Sequence, residues 1–258
     1  VCSSDLLSMR RAGRAPRRPK APQRFCKSAA RPGIPGRLND RHWIKEPWLK
    51  IDVNALPAAA QYKLICSTVI PRPIALVTTW SEQGGDNAAP FSYFNAMGED
   101  PPILVLGIEL RRDAEQLKDT GLNIRDTGQF VVNLVDEPMA EAMNVCAIDF
   151  PPGTSEIEQA GLQLAPSERV RPGRIVQSPV SFECELMHWL HVSPRRYMAV
   201  ARAVMMHVRD GLYDPKTGYI DHSKYKPLGR YFGRLYTKEH QLFEMVVPSP
   251  QDWASARK

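Results

Sequence analysis

Apolar positions in this chain gather into short runs broken by Gly, Pro, Asn and Asp, the pattern of strands and turns. Six runs read as strands: residues 74–80, 103–108, 130–135, 180–186, 199–208 and 230–236. In the fourth, Val180, Phe182, Cys184 and Leu186 alternate with Ser181, Glu183 and Glu185, as in an antiparallel strand with one buried and one wet face. Helical signals are fewer and shorter. Residues 113–117 and 122–125 read as brief helices around Lys118, Asp119 and Thr120, with Gly128 as a stop. Pro138 opens a helix over 137–147, and Ser155 to Glu158 has capping-box spacing ahead of residues 159–162. Strands with irregularly inserted helices predict a mainly β (α+β) fold, a closed barrel with helical excursions instead of a doubly wound sheet.

The most informative stretch is residues 71–102. Arg72-Pro73 forces an extended entry into the first strand, and Gly84-Gly85-Asp86 turns the chain. Asn87, Ala88, Ala89 and Pro90 then lead into Phe91, Ser92, Tyr93, Phe94 and Asn95, so small residues, aromatics and polar tips are interleaved. Packing alone does not explain that mixture, and the small residues would let a flat molecule approach the backbone. Further on, Lys118, Asp119 and Thr120 stand at the start of a short helix that includes Asn123. They read either as a plain N-cap with a solvated lysine or as a phosphate seat made of free N–H groups, the positive helix end and a point charge.

At 258 residues and 43% hydrophobic content the chain suffices for one large domain or two small ones. No apolar run approaches the roughly 20 residues of a membrane helix, so no membrane partner is expected. The net charge of +6 is concentrated at one end: residues 1–41 hold eleven Lys or Arg against two acids, and the remainder is mildly acidic. That end, rich in Pro, Ala and Gly, reads as a disordered basic leader over 1–42. It is a transit peptide, a nucleic-acid-binding arm or a segment outside the natural product. Five scattered cysteines without a CxxC pair fit reduced, structural thiols in a cytoplasmic protein. There is no GxGxxG or P-loop, so a nucleotide must be held by other means. His188 and His191 lie in strand-like alternation with no third ligand spaced to help, so no metal site is expected. His207 reads as a satisfied barrel histidine or an acid-base group, and Arg230 and Arg234 as solvated or as partners of a pyridine nucleotide phosphate.

Four ordered segments together resemble the flavin reductase-like family, FMN-binding split barrels that include flavoredoxin-type proteins. They are Pro71-Arg72-Pro73-Ile74 before a strand ending in Thr78-Thr79, Asn87 to Asn95, Asp100-Pro101-Pro102, and Lys118-Asp119-Thr120 with Asn123. Residues 227–233 with Tyr236 add a looser echo, and the resemblance covers about residues 62–245. It implies a six-stranded antiparallel Greek-key split β-barrel over residues 43–247, a C-terminal tail over 248–258, and a homodimer with FMN in a groove between subunits. Carried over, Arg72, Pro73, Ile74, Asn87, Ala88, Ala89, Pro90, Phe91, Ser92 and Asn95 line the ring and ribityl chain, with Ser92 and Asn95 bonding the ring. Lys118, Asp119, Thr120 and Asn123 sit near the phosphate, whose charge is offset by Arg72 or Lys118. The chemistry belongs to the flavin, so no catalytic side chain is needed.

The implied activity is electron transfer from NADH or NADPH through FMN to free flavin, another small acceptor or a partner monooxygenase. The alternative is a flavoredoxin-like FMN carrier fed by a protein partner. A nucleic-acid-binding barrel presenting Phe91, Tyr93 and Phe94 is a remote third reading, and the acidic folded portion argues against nucleic acid.

Overall fold

A computed structural model describes residues 48–111, 116–151, 154–238 and 241–251. The chain divides into two units, Val1–Ile51 and Asp52–Lys258. In the first, residues 48–51 are exposed, and the expected leader lies outside the described residues.

The second unit opens with a 3-10 turn at Val53–Ala55 and α1 (Ala58–Thr68), a helix the sequence pattern does not announce. Then come β1 (Arg72–Pro73), β2 (Ala75–Ser81), β3 (Gly85–Phe91), β4 (Phe94–Glu99), β5 (Pro102–Glu109), α2 (Asp119–Thr127) and β6 (Gln129–Leu134). A 3-10 turn at Glu137–Met139 runs into α3 (Ala140–Val145), followed by α4 (Glu156–Gln159), β7 (Leu164–Ala165) and β8 (Arg174–Ile175). A long hairpin of β9 (Val180–Ser193) and β10 (Arg196–Val208) precedes the short strands β11 (Tyr213–Asp214), β12 (Tyr219–Ile220), β13 (Gly229–Arg230) and β14 (Tyr236–Thr237).

The main sheet has the order β3-β2-β6-β9-β10-β5-β4, with every pair antiparallel. It wraps a core in which Ala75 and Val77, Leu104, Leu106 and Ile108, Phe130 and Val132, Cys184, and Ala199 and Ala201 meet from five strands. α2 joins this core through Ile124. A second core lies across β2, where Ile74, Leu76, Ala88 and Val135 pack with Met139, Met143, Ile157 and Ile175 under α3 and α4. β2 is therefore buried on both faces, which explains its unbroken apolar run.

Two expectations need correction. The sheet carries seven strands instead of six, and no ladder joins β3 to β4 among the described residues, so hydrogen bonds do not close the barrel. The extra strands are β3 and β4, the two sheet edges, where Pro90 and Gly98 cost no ladder bond that a central strand would need. The expected last strand over 230–236 is split by a turn with Gly233 at φ 59, and its two ends pair with each other as β13 and β14, with β1 on the other side of β13, in a separate three-stranded sheet.

Only part of the polar face of β9 is wet: Glu185 is partly exposed, whereas Ser181 is buried, donating to Asn133 Oδ1 at 2.9 Å, and Glu183 is buried beneath residues 167–173. The Glu183 carboxylate accepts N–H groups from Glu168 (2.8 Å), Arg169 (2.6 Å) and Val170 (3.1 Å) and meets His207 Nε2 at 2.5 Å. His207 is thus a satisfied histidine. The expected helix over 113–117 falls largely outside the described residues, and Leu117 makes a β-bridge to Leu110. Ser155 caps α4 as its spacing predicts, accepting from Glu158 N, although α4 ends at Gln159. Among the described residues no helix is long and apolar enough to cross a membrane.

Candidate functional site

β2, β3 and α2 meet in a polar cluster. Alternation along β2 puts Thr79 on the same face as Ala75 and Val77, and its register partner on β3 is Asn87. α2 docks against that face. Thr79 Oγ1 donates to Asn87 Oδ1 and accepts from Asn123 Nδ2 at 3.0 Å, while Asn87 Nδ2 donates to Thr120 Oγ1 at 3.1 Å. Thr79 and Thr120 are buried, and Asn87 and Asn123 are half-buried. Two buried hydroxyls therefore fix the orientation of two amides, whose remaining donor and acceptor capacity lies toward the surface.

The first turn of α2 has no side-chain cap: Lys118 occupies the N-cap position, and neither Asp119 nor Thr120 caps the helix. Its leading N–H groups and positive dipole end are thus left to other partners. Two cations flank this end, Lys118 Nζ at 2.7 Å from Asp149 Oδ1 and Arg111 NH2 at 2.9 Å from Asp119 Oδ1. Both pairs are exposed, and such pairs contribute little, so an anion can compete for the cations.

A family model described as a flavin reductase like domain matches residues 67–229, a span that contains this cluster and most of the sheet. The chain belongs to the flavin reductase-like family. A flavin-linked redox role comes with that membership. An uncharacterized protein of Aquifex aeolicus is 40% identical over 177 residues, 69% of this chain and 89% of that protein. Among solved structures, the 2-nitrobenzoate 2-nitroreductase NbaA of Pseudomonas fluorescens is 38% identical with a TM-score of 0.71, covering 78% of this chain and 98% of that one. Nitrilotriacetate monooxygenase component B of Bacillus cereus is 33% identical with a TM-score of 0.73, covering 78% and 100%.

The residues expected to hold FMN do not all gather in one place. Asn87, Thr120 and Asn123 share the cluster, with Lys118 and Asp119 at its rim. Ala89 and Phe91 lie on the Asn87 side of β3, whereas Ala88 and Pro90 point to the other side, where Ala88 is buried in the second core. Ala88 thus packs in the second core. Ser92 is half-buried where β3 passes into β4, and Asn95 is exposed on β4 with Oδ1 accepting from Ala96 N at 2.9 Å.

Arg72, Pro73 and Ile74 lie apart from the cluster. From Arg72 to Thr79 the chain runs roughly 20 Å at about 3.3 Å per residue. The buried Arg72 guanidinium donates to the carbonyls of Cys66 (2.8 Å), Val69 (3.0 Å) and Tyr231 (2.9 Å), tying α1 to the segment after β13. It is a latch within this fold, while Lys118 stands at the start of α2. With Pro73, Ile74, Tyr225 and Leu228, Arg72 lines a groove of about 240 Å³. Burial, with Asp136 nearby, pushes the Tyr225 phenol up to about 12. At the β3–β4 link, burial and the Cys66 Sγ contact at 3.3 Å push Tyr93 up to about 12 against the opposing Arg196, so Tyr93 stays neutral at physiological pH.

Arg230, partly exposed, donates from its guanidinium to the carbonyls of Gly233 (2.6 Å) and Leu235 (3.4 Å) and lies over the Tyr236 ring. His191 stacks on Tyr197 at 4.7 Å within the β9–β10 hairpin.

Sequence reasoning missed Thr79 and Arg111 as site residues. No local signal singles out Thr79, which lies inside β2, whereas Arg111 is a cation shortly before a helix start.

The donor set fits a phosphorylated, hydroxyl-rich ligand such as FMN: uncapped N–H groups and two competing cations at one end, oriented amides and small Ala89 beside them.

Proposed function

We propose that this chain is an FMN-dependent oxidoreductase that passes electrons from NADH or NADPH to free flavin, another small acceptor or a partner monooxygenase. The observation that carries the reading is the uncapped start of α2 beside the Thr79–Asn87–Thr120–Asn123 cluster. In this reading Lys118 and the first turn of α2 bind the phosphate, while Thr120 and Thr79 hold Asn87 and Asn123 toward the ribityl chain. Phe91 and Ala89 border the ring, and Ser92 and Asn95 lie near its polar edge. FMN, when bound, supplies hydride acceptance and electron release, so the chain's task is position and electrostatics. The domain spans residues 43–247, and two copies pair to complete the groove. Similarity to a nitroreductase and to a monooxygenase component supports an acceptor that is either a small nitro compound or the flavin of a second protein. Cys66, Cys146 and Cys184 are free and buried, which fits a reducing cytoplasm.

The test is gel filtration of the purified chain with FMN, followed by assay with both nicotinamides. Flavin absorbance that travels with the protein, with NADH or NADPH oxidised on adding excess FMN, is the expected result. Flavin recovered entirely in the small-molecule fraction overturns the reading. Flavin retained but inert to both nicotinamides replaces it with the electron carrier.

A further inference from the structure

Beyond β14 the chain runs without regular structure through residues 241–249, and that run is apolar. Leu242 is 75% exposed, Phe243, Met245 and Val246 80%, and Val247 90%. Glu244 is the one charged residue among residues 241–250. Solvated linkers have the opposite composition, since polar and charged residues keep them in water. Pro248 and Pro250 hold the residues before them extended. An extended strip of large apolar side chains left in water is the signature of a surface that is covered in the working molecule.

We infer that residues 241–249 form an arm that lies on a second copy of this chain. Among the described residues nothing covers these five side chains. The chain does expose a face of the kind the arm needs. On β9, Leu190 (45% exposed) and Val192 (58%) are two apart and so share one side of the strand, next to Met187 at 43%. One copy thus offers both an apolar arm and an apolar seat, which is the condition for an isologous pair in which each arm crosses to the other subunit.

The area is sufficient. Five such side chains contribute about 100 Å² each, so two arms and the two surfaces beneath them bury roughly 2,000 Å², the upper end of a standard stable interface. A lipid surface is a poorer occupant, because residues 241–251 contain no Lys or Arg to meet anionic headgroups and the apolar run is short. The arm extends the pairing of copies proposed above and does not depend on the flavin.

Sedimentation equilibrium of the full chain tests it, alongside Phe243→Asp/Val246→Asp on the arm and Leu190→Asp/Val192→Asp on the seat. All these residues are exposed, and far-UV circular dichroism checks that each variant keeps the fold. The full chain is expected to be a dimer at low micromolar concentration, with each double variant weakening dimerisation about 100-fold. A full chain that stays monomeric at tens of micromolar overturns both the arm and the pairing. Variants that dimerise as tightly as the full chain overturn the arm alone. A monomeric full chain that also co-sediments with phosphatidylcholine–phosphatidylglycerol vesicles overturns both and assigns the segment to a membrane. FMN binding is read separately by flavin fluorescence. A dimer weakened by the substitutions supports the arm even where FMN is ignored, an outcome that counts against the flavin reading only.

Discussion

Thr79 makes the candidate site depend on a single hydroxyl. It bonds Asn87 Oδ1 and Asn123 Nδ2 at once, so it orders two amides from different elements. Thr79→Val keeps the shape and removes both bonds. Two partly buried amide groups then lose their partner, at about 1–2 kcal/mol of stability. FMN affinity is expected to fall about 10- to 100-fold through lost orientation rather than lost contact. Fluorescence titration with FMN and urea unfolding read the two effects separately, and unchanged FMN affinity in the valine variant removes Thr79 from the site. Nothing along the strand marks Thr79 out, because a β-branched residue ending a β-branched run is ordinary. Its polarity acquires meaning only when Asn123, 44 positions later, docks on it. Asn87, Thr120 and Asn123 were legible for a different reason: each belongs to a motif whose residues are odd choices for plain packing.

Among the elements around the candidate site, α2 was the most legible and β3 the least. Gly128 ends α2 with φ 69, as a left-handed C-cap should, and residues 122–125 fall inside it. β3 carries Gly, Asn and Pro that argue against a strand, yet an edge position accepts them, and edge status is set by topology and not by local sequence. For the same reason the alternation of β9 predicted a strand correctly but assigned Glu183 to water, since the covering residues 167–173 are not in the pattern. α2 owes its close seat to Gly121. A Cβ there would meet Ile108 Cγ2 and Leu117 Cδ2, each at 3.1 Å, and both partners are buried. Gly121→Ala gains about 1 kcal/mol of helix propensity and incurs about 1–3 kcal/mol of overpacking. The contacts are with core side chains, so overpacking wins. The variant is expected to lose up to about 2 kcal/mol in chemical unfolding and to bind FMN more weakly, because the first turn of α2 moves outward. A more stable variant with intact FMN binding would show that α2 is seated less tightly than its contacts indicate.

At the scale of the molecule, residues 167–173 bind the sheet together. Gly173 bonds β2 and β3 through Thr78 Oγ1 (2.6 Å) and Asp86 Oδ1 (3.0 Å), Arg171 N reaches Gln129 of β6, and Glu183 of β9 collects the three preceding N–H groups. Glu183 is therefore where acid acts on the whole fold. Burial by itself raises its carboxyl, but the N–H of Glu168, the His207 ring and the N–H groups of Arg169 and Val170 outweigh it and hold the group below its ordinary 4.5. A carboxyl lowered in the folded state binds fewer protons there than in the unfolded chain. Its contribution is present in full above pH 4.5 and is lost as pH falls below that value toward the folded one. Glu183→Gln removes the titration and also turns an NH2 toward N–H donors, so it is expected to lose about 2–4 kcal/mol at neutral pH. Urea midpoints followed from pH 6 down to pH 3 should then fall less steeply for the glutamine variant than for the parent chain. Parallel curves would move the acid sensitivity to other carboxylates.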